Sequence, residues 1–282
     1  MPEMRTIALD SQILNDVMAC GYKAYLRFVR HKEPEHKAEA LEKGDLMHQI
    51  LEHHYLQLKA GRRDQYTDIV EESVRVGIEA SKEMELTQAT IVENINQYRQ
   101  YALYYKQDGW QPLEVEQPFS KVLYQNEQRG IRILYEGIID LVCQTPGGLA
   151  IVDHKTSSRR QQPFLLSTQF MGYSWALNVS HVVVNKIGFQ KTLPPKERFN
   201  RYRMPYQKAH LEQWKKDAIY YAHLLISWMD QGYYPMNYTS CDKYGGCIFQ
   251  PVCASIPEVR EHKLAMLFKD GKPWSPHTRD EK

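Results

Sequence analysis

Several common features are missing from this chain of 282 residues, and each absence excludes a class of protein. No G-x-x-x-x-G-K-[ST] motif occurs, so the chain carries no P-loop motor of its own. A secretory signal and an apolar stretch of about twenty residues are also missing, which predicts a cytoplasmic, reducing location and no membrane contact. The charges nearly balance, with 36 Lys and Arg against 34 Asp and Glu. Binding to a polyanion would therefore depend on local basic patches.

Cysteine is scarce as well, with five residues, and no C-x2-4-C pair typical of zinc sites is present. Three cysteines have the spacing C-x5-C-x5-C at Cys241, Cys247 and Cys253, while Cys20 lies far away in the sequence. In a reducing compartment such a group indicates a metal or redox centre rather than disulfides. Cys143 stands alone in an apolar segment and is interpreted as a small buried hydrophobic residue.

The segment Tyr135–Thr156, YEGIIDLVCQTPGGLAIVDHKT, predicts a β-hairpin, because two apolar runs flank the turn signal Thr-Pro-Gly-Gly. With a two-residue Pro-Gly turn, residues whose numbers add up to 293 face each other, and Asp140 lies opposite Asp153. Lys155 projects from the same face as Asp153, since strand side chains alternate. Opposed carboxylates repel unless a cation neutralises them. An isolated D-x-K is commonly a solvated strand edge, but this arrangement favours a divalent-metal site.

Periodicity and turn signals predict an α/β fold in which helices precede and follow a small mixed sheet. The expected helices are 11–31 (capped by Asp10 or Ser11), 39–59, 68–107 with a break near 85–87, 163–177, 207–230 and 256–268. The expected strands are 113–124, 131–143, 149–156, 181–191 and 199–205. A single domain would span residues 1–269, with a helical insertion at about 39–107, a core at about 111–206, a helix and cysteine loop at 207–269, and then a flexible tail at 270–282.

Four short motifs occur in an order typical of one enzyme family. G-x-x-D ends at Asp140, (D/E)-x-K ends at Lys155, and Q-x-x-x-Y ends at Tyr173. Upstream, the sequence GDLMH ends at His48 and is followed by Leu-Glu three residues later. Together these motifs resemble the RecB-type branch of the PD-(D/E)XK nuclease superfamily, which includes AddB-type nucleases and CRISPR-adaptation exonucleases.

The resemblance implies a restriction-endonuclease-like core with helix-rich N-terminal and C-terminal additions, and a metal-dependent DNA nuclease that hydrolyses phosphodiester bonds. Exonuclease action in recombination, repair, or the processing of DNA ends or CRISPR spacers is favoured. Expected partners are single- or double-stranded DNA and a separate helicase, recombinase or CRISPR-adaptation protein. Two alternatives stay open: a catalytically silent nucleic-acid-binding subunit that keeps the fold, and a structural or regulatory protein in which only the cysteines matter.

The resemblance also implies roles for residues of the hairpin and the histidine motif. Asp140, Asp153 and His48 would bind Mg²⁺ or Mn²⁺, and the main-chain carbonyl of His154 would add an oxygen ligand. Lys155 would position or activate the attacking water. These four side chains and one carbonyl make up the expected catalytic centre.

Further residues have weaker support. Glu116, on the strand before the hairpin, is a candidate accessory carboxylate for catalysis, or else part of a solvated strand face. His53 and His54 are expected on the surface. The expected DNA contacts come from the motif helix and two basic segments, whose alternative interpretation is a solvated loop: Gln169, Tyr173, Arg159, Arg160, Arg201 and Arg203.

By the same resemblance, Cys20, Cys241, Cys247 and Cys253 would hold a [4Fe-4S] cluster that clamps the two ends of the chain together. Many members of the branch have C-x2-C where this chain has C-x5-C. This departure keeps Zn²⁺ open as the alternative metal.

Overall fold

The computed structural model describes residues 4–157, 165–190 and 192–273. Its fold is mixed α/β, with a mixed sheet flanked by helices, which confirms the predicted fold class. The chain forms two compact units: a terminal unit of Met1–His36, Ser120–Gly137 and Glu212–Lys282, and a central unit of Lys37–Phe119 and Ile138–Leu211. The single domain over residues 1–269 stays a prediction. Within the described ranges, no helix has the length and apolar character needed to span a membrane.

Most elements lie within a few residues of their predicted positions. In chain order they are β1 (Arg5–Leu9), α1 (Ser11–Ala19), α2 (Gly21–Ala24), a π-helical turn (Tyr25–Val29), β2 (Lys32–Pro34), α3 (Glu39–Lys59), α4 (Tyr66–Ala80), α5 (Gln88–Tyr104), β3 (Gln111–Asn126), β4 (Ile131–Thr145), β5 (Gly148–Ser157), α6 (Thr168–Leu177), β6 (His181–Gly188), α7 (Pro195–Arg198), β7 (Phe199–Pro205), α8 (Lys208–Gln231), α9 (Gln250–Cys253), α10 (Pro257–Leu267) and β8 (Phe268–Asp270).

In the terminal unit, the predicted helix over residues 11–31 is wrong in one respect. The Asp10 side chain caps α1 as expected, accepting from the N–H of Ile13 at 2.7 Å. The helix then stops at Cys20, whose backbone is extended (φ −167°, ψ 119°). A Cβ added to Gly21 would lie 2.9 Å from Pro235, so the break requires a glycine at this close approach. The predicted tail is also shortened, because residues 268–270 form β8 against β2.

In the central unit, residues 141–145 of β4 pair with β5 in the predicted register. Leu141 faces Val152, and Thr145 faces Gly148 at the turn, so the sum of 293 is confirmed. β5 then pairs in parallel with β6, and β6 pairs antiparallel with β7. The chain crosses from β5 to β6 by way of α6, because parallel neighbours cannot be joined by a tight turn.

Apolar residues cover both faces of this sheet. One face packs against α3 and α5, where Leu46 and Tyr98 are fully buried, and the other packs against Phe170 of α6. Strands buried on both sides read as continuous apolar runs, as β6 does in HVVVNKIG. The alternation of β5 therefore assigns Asp153 and Lys155 to the α6 side of the sheet and the intervening His154 to the side of α3 and α5.

The expected surface position of His54 is wrong. Its side chain is 2% exposed, and its Nδ1 lies 2.9 Å from the Tyr98 hydroxyl. Burial lowers the pKa of His54 to about 3, so the imidazole is a neutral core residue. His53 is half-buried and contacts Ser73 through its Nδ1 at 3.0 Å.

Candidate metal centre

Two carboxylates and an amine meet where β4 and β5 run side by side. Asp140 accepts a hydrogen bond from the main-chain N–H of His154 at 2.7 Å, which ties its carboxylate to the D-x-K segment. Asp153 is only 2% exposed, and its Oδ2 lies 2.8 Å from the Nζ of Lys155. The Nζ also lies 5.8 Å from the centre of the Phe170 ring, on the α6 side of the sheet.

A histidine and a third carboxylate complete the cluster. His48, on α3, places its Nδ1 3.5 Å from Asp140 Oδ2. One ligand atom each from His48, Glu116 and Asp140 lies within 4.8 Å of the other two. This geometry supports Glu116 as an accessory carboxylate over the solvated strand face that the sequence also left open, and its role in catalysis stays a prediction.

The backbone of Glu116 is unusual for a residue in a strand. Its φ of 48° lies in the left-handed region, which costs a residue with a Cβ about 1 kcal/mol or more. Such a residue interrupts the alternation of β3 and redirects the side chain. Backbone strain of this kind is concentrated at functional sites, where the surrounding structure imposes it.

The electrostatics of the centre reflect crowding of carboxylates. Burial, together with the nearby Asp140 carboxylate, raises the pKa of Asp153 to about 6 despite the adjacent Lys155 ammonium. Burial also acts to raise the pKa of Asp140, but His48, Lys155 and the His154 N–H outweigh it, so the pKa lies below its usual value. The pKa of Lys155 is raised because the two carboxylates outweigh its own desolvation.

The donor set fits a divalent metal. Three carboxylates and an imidazole are ligands that suit Mg²⁺ or Mn²⁺, with the histidine favouring Mn²⁺. Asp153 is buried, and its Oδ2 is paired with the Lys155 ammonium at 2.8 Å. A metal would be held by His48, Glu116 and Asp140, with Asp153 next to them.

This charge arrangement predicts a specific pH dependence. Because the folded-state pKa of Asp153 is raised from 3.8 to about 6, the folded metal-free protein binds this proton more tightly than the unfolded chain. The contribution of Asp153 to stability is therefore greatest below about pH 4 and is lost as the pH rises through about 6. Mn²⁺ needs the ionised carboxylate, so its affinity should rise over the same interval.

Thermal unfolding and Mn²⁺ titration at pH 4 to 7 would measure both effects. Asp153→Asn is the matched control, since it cannot titrate at this position. The difference in melting temperature between wild type and Asp153→Asn should narrow or reverse as the pH rises. A difference that stays constant across this range would contradict the raised pKa.

The His154 side chain takes no part in the cluster. Its Nδ1 lies 2.8 Å from the amide nitrogen of Asn185, and its ring stacks on Tyr55 at 5.3 Å. Since the amide nitrogen is a donor, Nδ1 is the acceptor, which assigns the ring proton to Nε2. Burial lowers the pKa of His154 to about 3. The main-chain N–H of His154 donates a hydrogen bond to Asp140. That the main-chain carbonyl of His154 is a metal ligand stays a prediction.

Asn185 anchors a buried polar network that the motifs did not indicate. The amide nitrogen also donates to the Tyr101 hydroxyl at 2.8 Å, and Tyr101 lies 2.6 Å from the hydroxyl of Tyr55. This network fixes the strand segment that carries Asp153 and Lys155. One sequence signal was available, because Asn185 is a polar residue inside the apolar run of β6.

Arg201, which we expected to contact DNA, is held inside the protein. Its guanidinium lies 2.6 Å from Asp108 and is packed against the rings of Trp110 and Tyr105 at 3.4 and 3.6 Å. Its side chain is 14% exposed. We therefore omit Arg201 from the proposed DNA contacts. Arg203, two residues along β7, is exposed and stays a predicted contact.

These two arginines give a matched pair for a stability test. Arg201→Ala should destabilise the protein by about 2 kcal/mol or more, because it removes the nearer ion-pair partner of Asp108 and leaves that carboxylate only Arg63, at 3.7 Å. Arg203→Ala should change the free energy of unfolding by about 0.5 kcal/mol or less. Unfolding by denaturant measures the free energy of unfolding of both variants. If Arg201→Ala kept full stability and instead weakened DNA binding, its assignment as a DNA contact would be restored.

The remaining predicted DNA contacts lie on or before α6. Gln169 and Tyr173 occupy one face of this helix, with the Gln169 amide donating to the Tyr173 hydroxyl at 3.0 Å. Tyr173 also packs edge-on against Phe119 at 5.7 Å. The pair is thus pre-arranged, and its contact with DNA stays a prediction. Arg159 and Arg160 lie outside the described residues.

In the terminal unit, four cysteines line one cavity of about 750 Å³: Cys20, Cys241, Cys247 and Cys253. The helix break presents the Cys20 sulfur to the N–H of Asn237, which donates to it at 3.3 Å. The loop from Cys241 closes on itself, with the N–H of Cys247 donating to the Cys241 carbonyl at 2.7 Å. All four are free thiols, and two lysines, Lys23 and Lys243, line the same cavity.

The fold and the candidate centre are typical of metal-dependent nucleases of the restriction-endonuclease type, and comparison with known families agrees. The sequence model of the PD-(D/E)XK nuclease superfamily matches residues 11–254. The chain belongs to the PD-(D/E)XK nuclease superfamily. Among curated proteins, none matches the chain in sequence.

The chain is also similar to solved structures with which it shares little sequence. A "Putative exonuclease" from Eubacterium rectale is 12% identical with a TM-score of 0.50, covering 83% of this chain and 86% of its own. SSO0001 is 13% identical with a TM-score of 0.34, covering 78% and 77%. LHK-Exo, in complex with dAMP, is 9% identical with a TM-score of 0.33, covering 67% and 95%. At such identities, the first similarity supports the fold and nothing more specific.

Proposed function

We propose that this protein is a metal-dependent deoxyribonuclease of the RecB-type branch that hydrolyses phosphodiester bonds at DNA ends. One observation carries the proposal: ligand atoms of His48, Glu116 and Asp140 lie within 4.8 Å of one another beside the Asp153–Lys155 ion pair. Carboxylates, an imidazole and an ammonium meeting at one place match what hydrolysis of a phosphodiester requires.

Each group has a separate task in the proposed reaction. A bound Mg²⁺ or Mn²⁺ would supply Lewis acidity for the scissile phosphate and a more acidic water. Asp140 is held in place by the His154 N–H and presents its carboxylate toward His48. Lys155, kept protonated by its carboxylate neighbours, orients the attacking water and offsets the negative charge that develops on the phosphate. Gln169 and Tyr173 hold the DNA strand.

Exonuclease action is the preferred mode. The structural neighbour from Eubacterium rectale is itself described as a putative exonuclease, which accords with this mode. DNA-end processing in recombination, repair or CRISPR spacer acquisition is the corresponding cellular role. A separate helicase, recombinase or CRISPR-adaptation protein would supply any translocation or targeting, because the chain has no P-loop motif.

We further propose that the cysteine cavity holds a [4Fe-4S] cluster. Thiolates are soft ligands that suit iron–sulfur clusters and zinc. Around a single zinc ion, with bonds of about 2.3 Å, the sulfur atoms would lie roughly 4 Å apart. Among the described cysteines, no three sulfur atoms lie within 4.8 Å of one another. The cavity of about 750 Å³ that the four cysteines line is what supports a cluster over one Zn²⁺ ion.

The nuclease proposal is tested with anaerobically purified protein, Mg²⁺ or Mn²⁺, and end-labelled single- and double-stranded DNA. We expect cleavage that depends on the metal, starts from an end and spares covalently closed circles. Cleavage of closed circles at the same rate would contradict exonuclease action. Binding of DNA without cleavage under any metal condition would instead support the alternative of a catalytically silent binding subunit. Cleavage of RNA alone would contradict the assignment of DNA as the substrate.

A further inference from the structure

A buried arginine of the central unit lacks a counter-charge. Arg198, at the end of α7, is 7% exposed. Its two terminal nitrogens donate to the side-chain oxygens of Gln97 at 3.1 Å and Gln100 at 2.6 Å. Both partners are neutral. Among the described residues, no carboxylate lies within 4.0 Å of the guanidinium nitrogens.

This arrangement leaves the charge without an anionic partner and one donor unsatisfied, although the guanidinium lies 5.3 Å from the centre of the Phe199 ring. A guanidinium carries five N–H donors, and the two glutamine oxygens take two of them. The Nε is buried and has no hydrogen-bond partner among the described residues. Buried charges are normally paired, because burying an isolated one costs several kcal/mol. Arg201 on the neighbouring strand follows that rule through its ion pair with Asp108, and Arg198 does not.

The guanidinium borders a cavity large enough for an anion. The cavity measures about 330 Å³, and its lining adds amide side chains and two small apolar residues: Ala89, Val92, Glu93, Asn96, Gln97, Gln100 and Arg198. Among the described residues, Glu93 is the only carboxylate in this lining, and it is ion-paired with the ammonium of Lys43. Two cations therefore oppose one carboxylate, and a net positive charge remains.

We propose that this cavity binds a phosphate group through Arg198. Resting on the function proposed above, the phosphate belongs to the backbone of the bound DNA strand, away from the scissile position. Gln97, which contacts Arg198, also donates to the carbonyl of Gly188, and Gly188 is paired with Ser157 at the end of β5. Ser157 lies four residues beyond Asp153, or about 13 Å along the strand. These contacts connect the cavity to the end of the strand that carries Asp153.

The experiment uses Arg198→Gln in the full-length protein, with Asp140→Asn in every sample to prevent cleavage. Affinity for single-stranded oligonucleotides of increasing length is measured at several salt concentrations. Arg75→Gln, an exposed arginine on α4, is the matched control. Arg198→Lys keeps the charge without the planar fork. Melting temperatures identify any variant that fails to fold, and inorganic phosphate is tested separately for its effect on those temperatures.

In the parent protein, a longer oligonucleotide should bind more tightly than a shorter one. In Arg198→Gln this ratio of affinities should be about tenfold smaller, because the variant loses a pair of charge-assisted hydrogen bonds. The salt dependence should weaken by about 0.7 in log–log slope, corresponding to one phosphate. Arg198→Lys should keep the slope and bind with intermediate affinity. The control should match the parent protein.

Other outcomes separate the possible errors. If phosphate raises the melting temperature of the parent protein but not of Arg198→Gln, and strand length has no effect, the site binds free phosphate and its assignment to the DNA strand is overturned. If neither phosphate nor length distinguishes the proteins, the anion site itself is overturned. If the protein binds no DNA at all while phosphate still stabilises it through Arg198, the proposed function fails and the anion site stands.

Discussion

Replacing Asp140 with asparagine is expected to lower the rate of metal-dependent DNA cleavage by about a thousandfold or more, which corresponds to roughly 4 kcal/mol of transition-state stabilisation. Asparagine keeps an oxygen that can accept the His154 N–H, so the hairpin should retain its geometry. It removes the charged ligand atom that lies close to both His48 and Glu116. The measurement is initial cleavage rate at increasing Mn²⁺ and Mg²⁺ concentrations.

The control for this variant is Asp68→Asn, an exposed aspartate on α4 in the same unit. It should cleave DNA at the wild-type rate. Without metal at neutral pH, Asp140→Asn should be somewhat less stable than wild type, because the lowered pKa of Asp140 means that the folded state favours the ionised carboxylate. Wild-type cleavage by Asp140→Asn would show that the centre described above is not the site of hydrolysis. The melting temperature distinguishes a folded variant that has lost cleavage from a variant that is inactive because it is unfolded.

The hairpin geometry was accessible from the sequence because it is local. A Pro-Gly turn between two apolar runs fixes the pairing of the strands, and the pairing fixes which side chains face each other. The observed register from Leu141–Val152 to Thr145–Gly148 follows from this alone. The boundaries of α3 were predicted for the same reason, since its apolar periodicity runs without interruption from residue 39 to residue 59.

The sequence did not predict which polar residues are buried by contacts with distant parts of the chain. His54 and Arg201 are polar residues in polar surroundings along the sequence, so both were expected on the surface. Their partners are remote: Tyr98 is 44 positions from His54, and Asp108 is 93 positions from Arg201. Apolar periodicity predicts that a helix has a buried face. It does not predict which polar side chains are buried with hydrogen-bond partners on a neighbouring element.

Short strands with remote partners were missed for a related reason. β1 spans five residues and pairs with β4 more than a hundred positions later, as in Arg5 opposite Ile131. Five residues give too little alternation to distinguish a strand from a loop. The break at Cys20 was missed as well, because the sequence around it is compatible with a helix. Only the approach of Pro235 to Gly21 explains why the chain turns there.

Replacing Cys20 with serine is the second substitution with a large expected effect, under the proposal that the cysteine cavity holds a cluster. Serine is nearly the same size but a poor ligand for iron, so the variant should lose iron and acid-labile sulfide and bleach the brown colour of anaerobically purified protein. Because metal binding contributes directly to folding, the terminal unit should lose about 5 kcal/mol or more, with a fall of about 10 °C or more in melting temperature.

Cys143→Ala is the matched control, since Cys143 is fully buried in the core of the central unit and lies outside the cysteine cavity. It should keep its full iron content and lose only about 1 kcal/mol for the small void. Limited proteolysis should cut Cys20→Ser first in the loop from residue 232 to residue 249, which depends on Cys20 and Asn237 for its attachment to α1. Full iron content in Cys20→Ser would remove this residue from the ligand set. A colourless wild-type protein with one equivalent of zinc would replace the cluster with Zn²⁺, and the excess volume of the cavity would then need a different occupant.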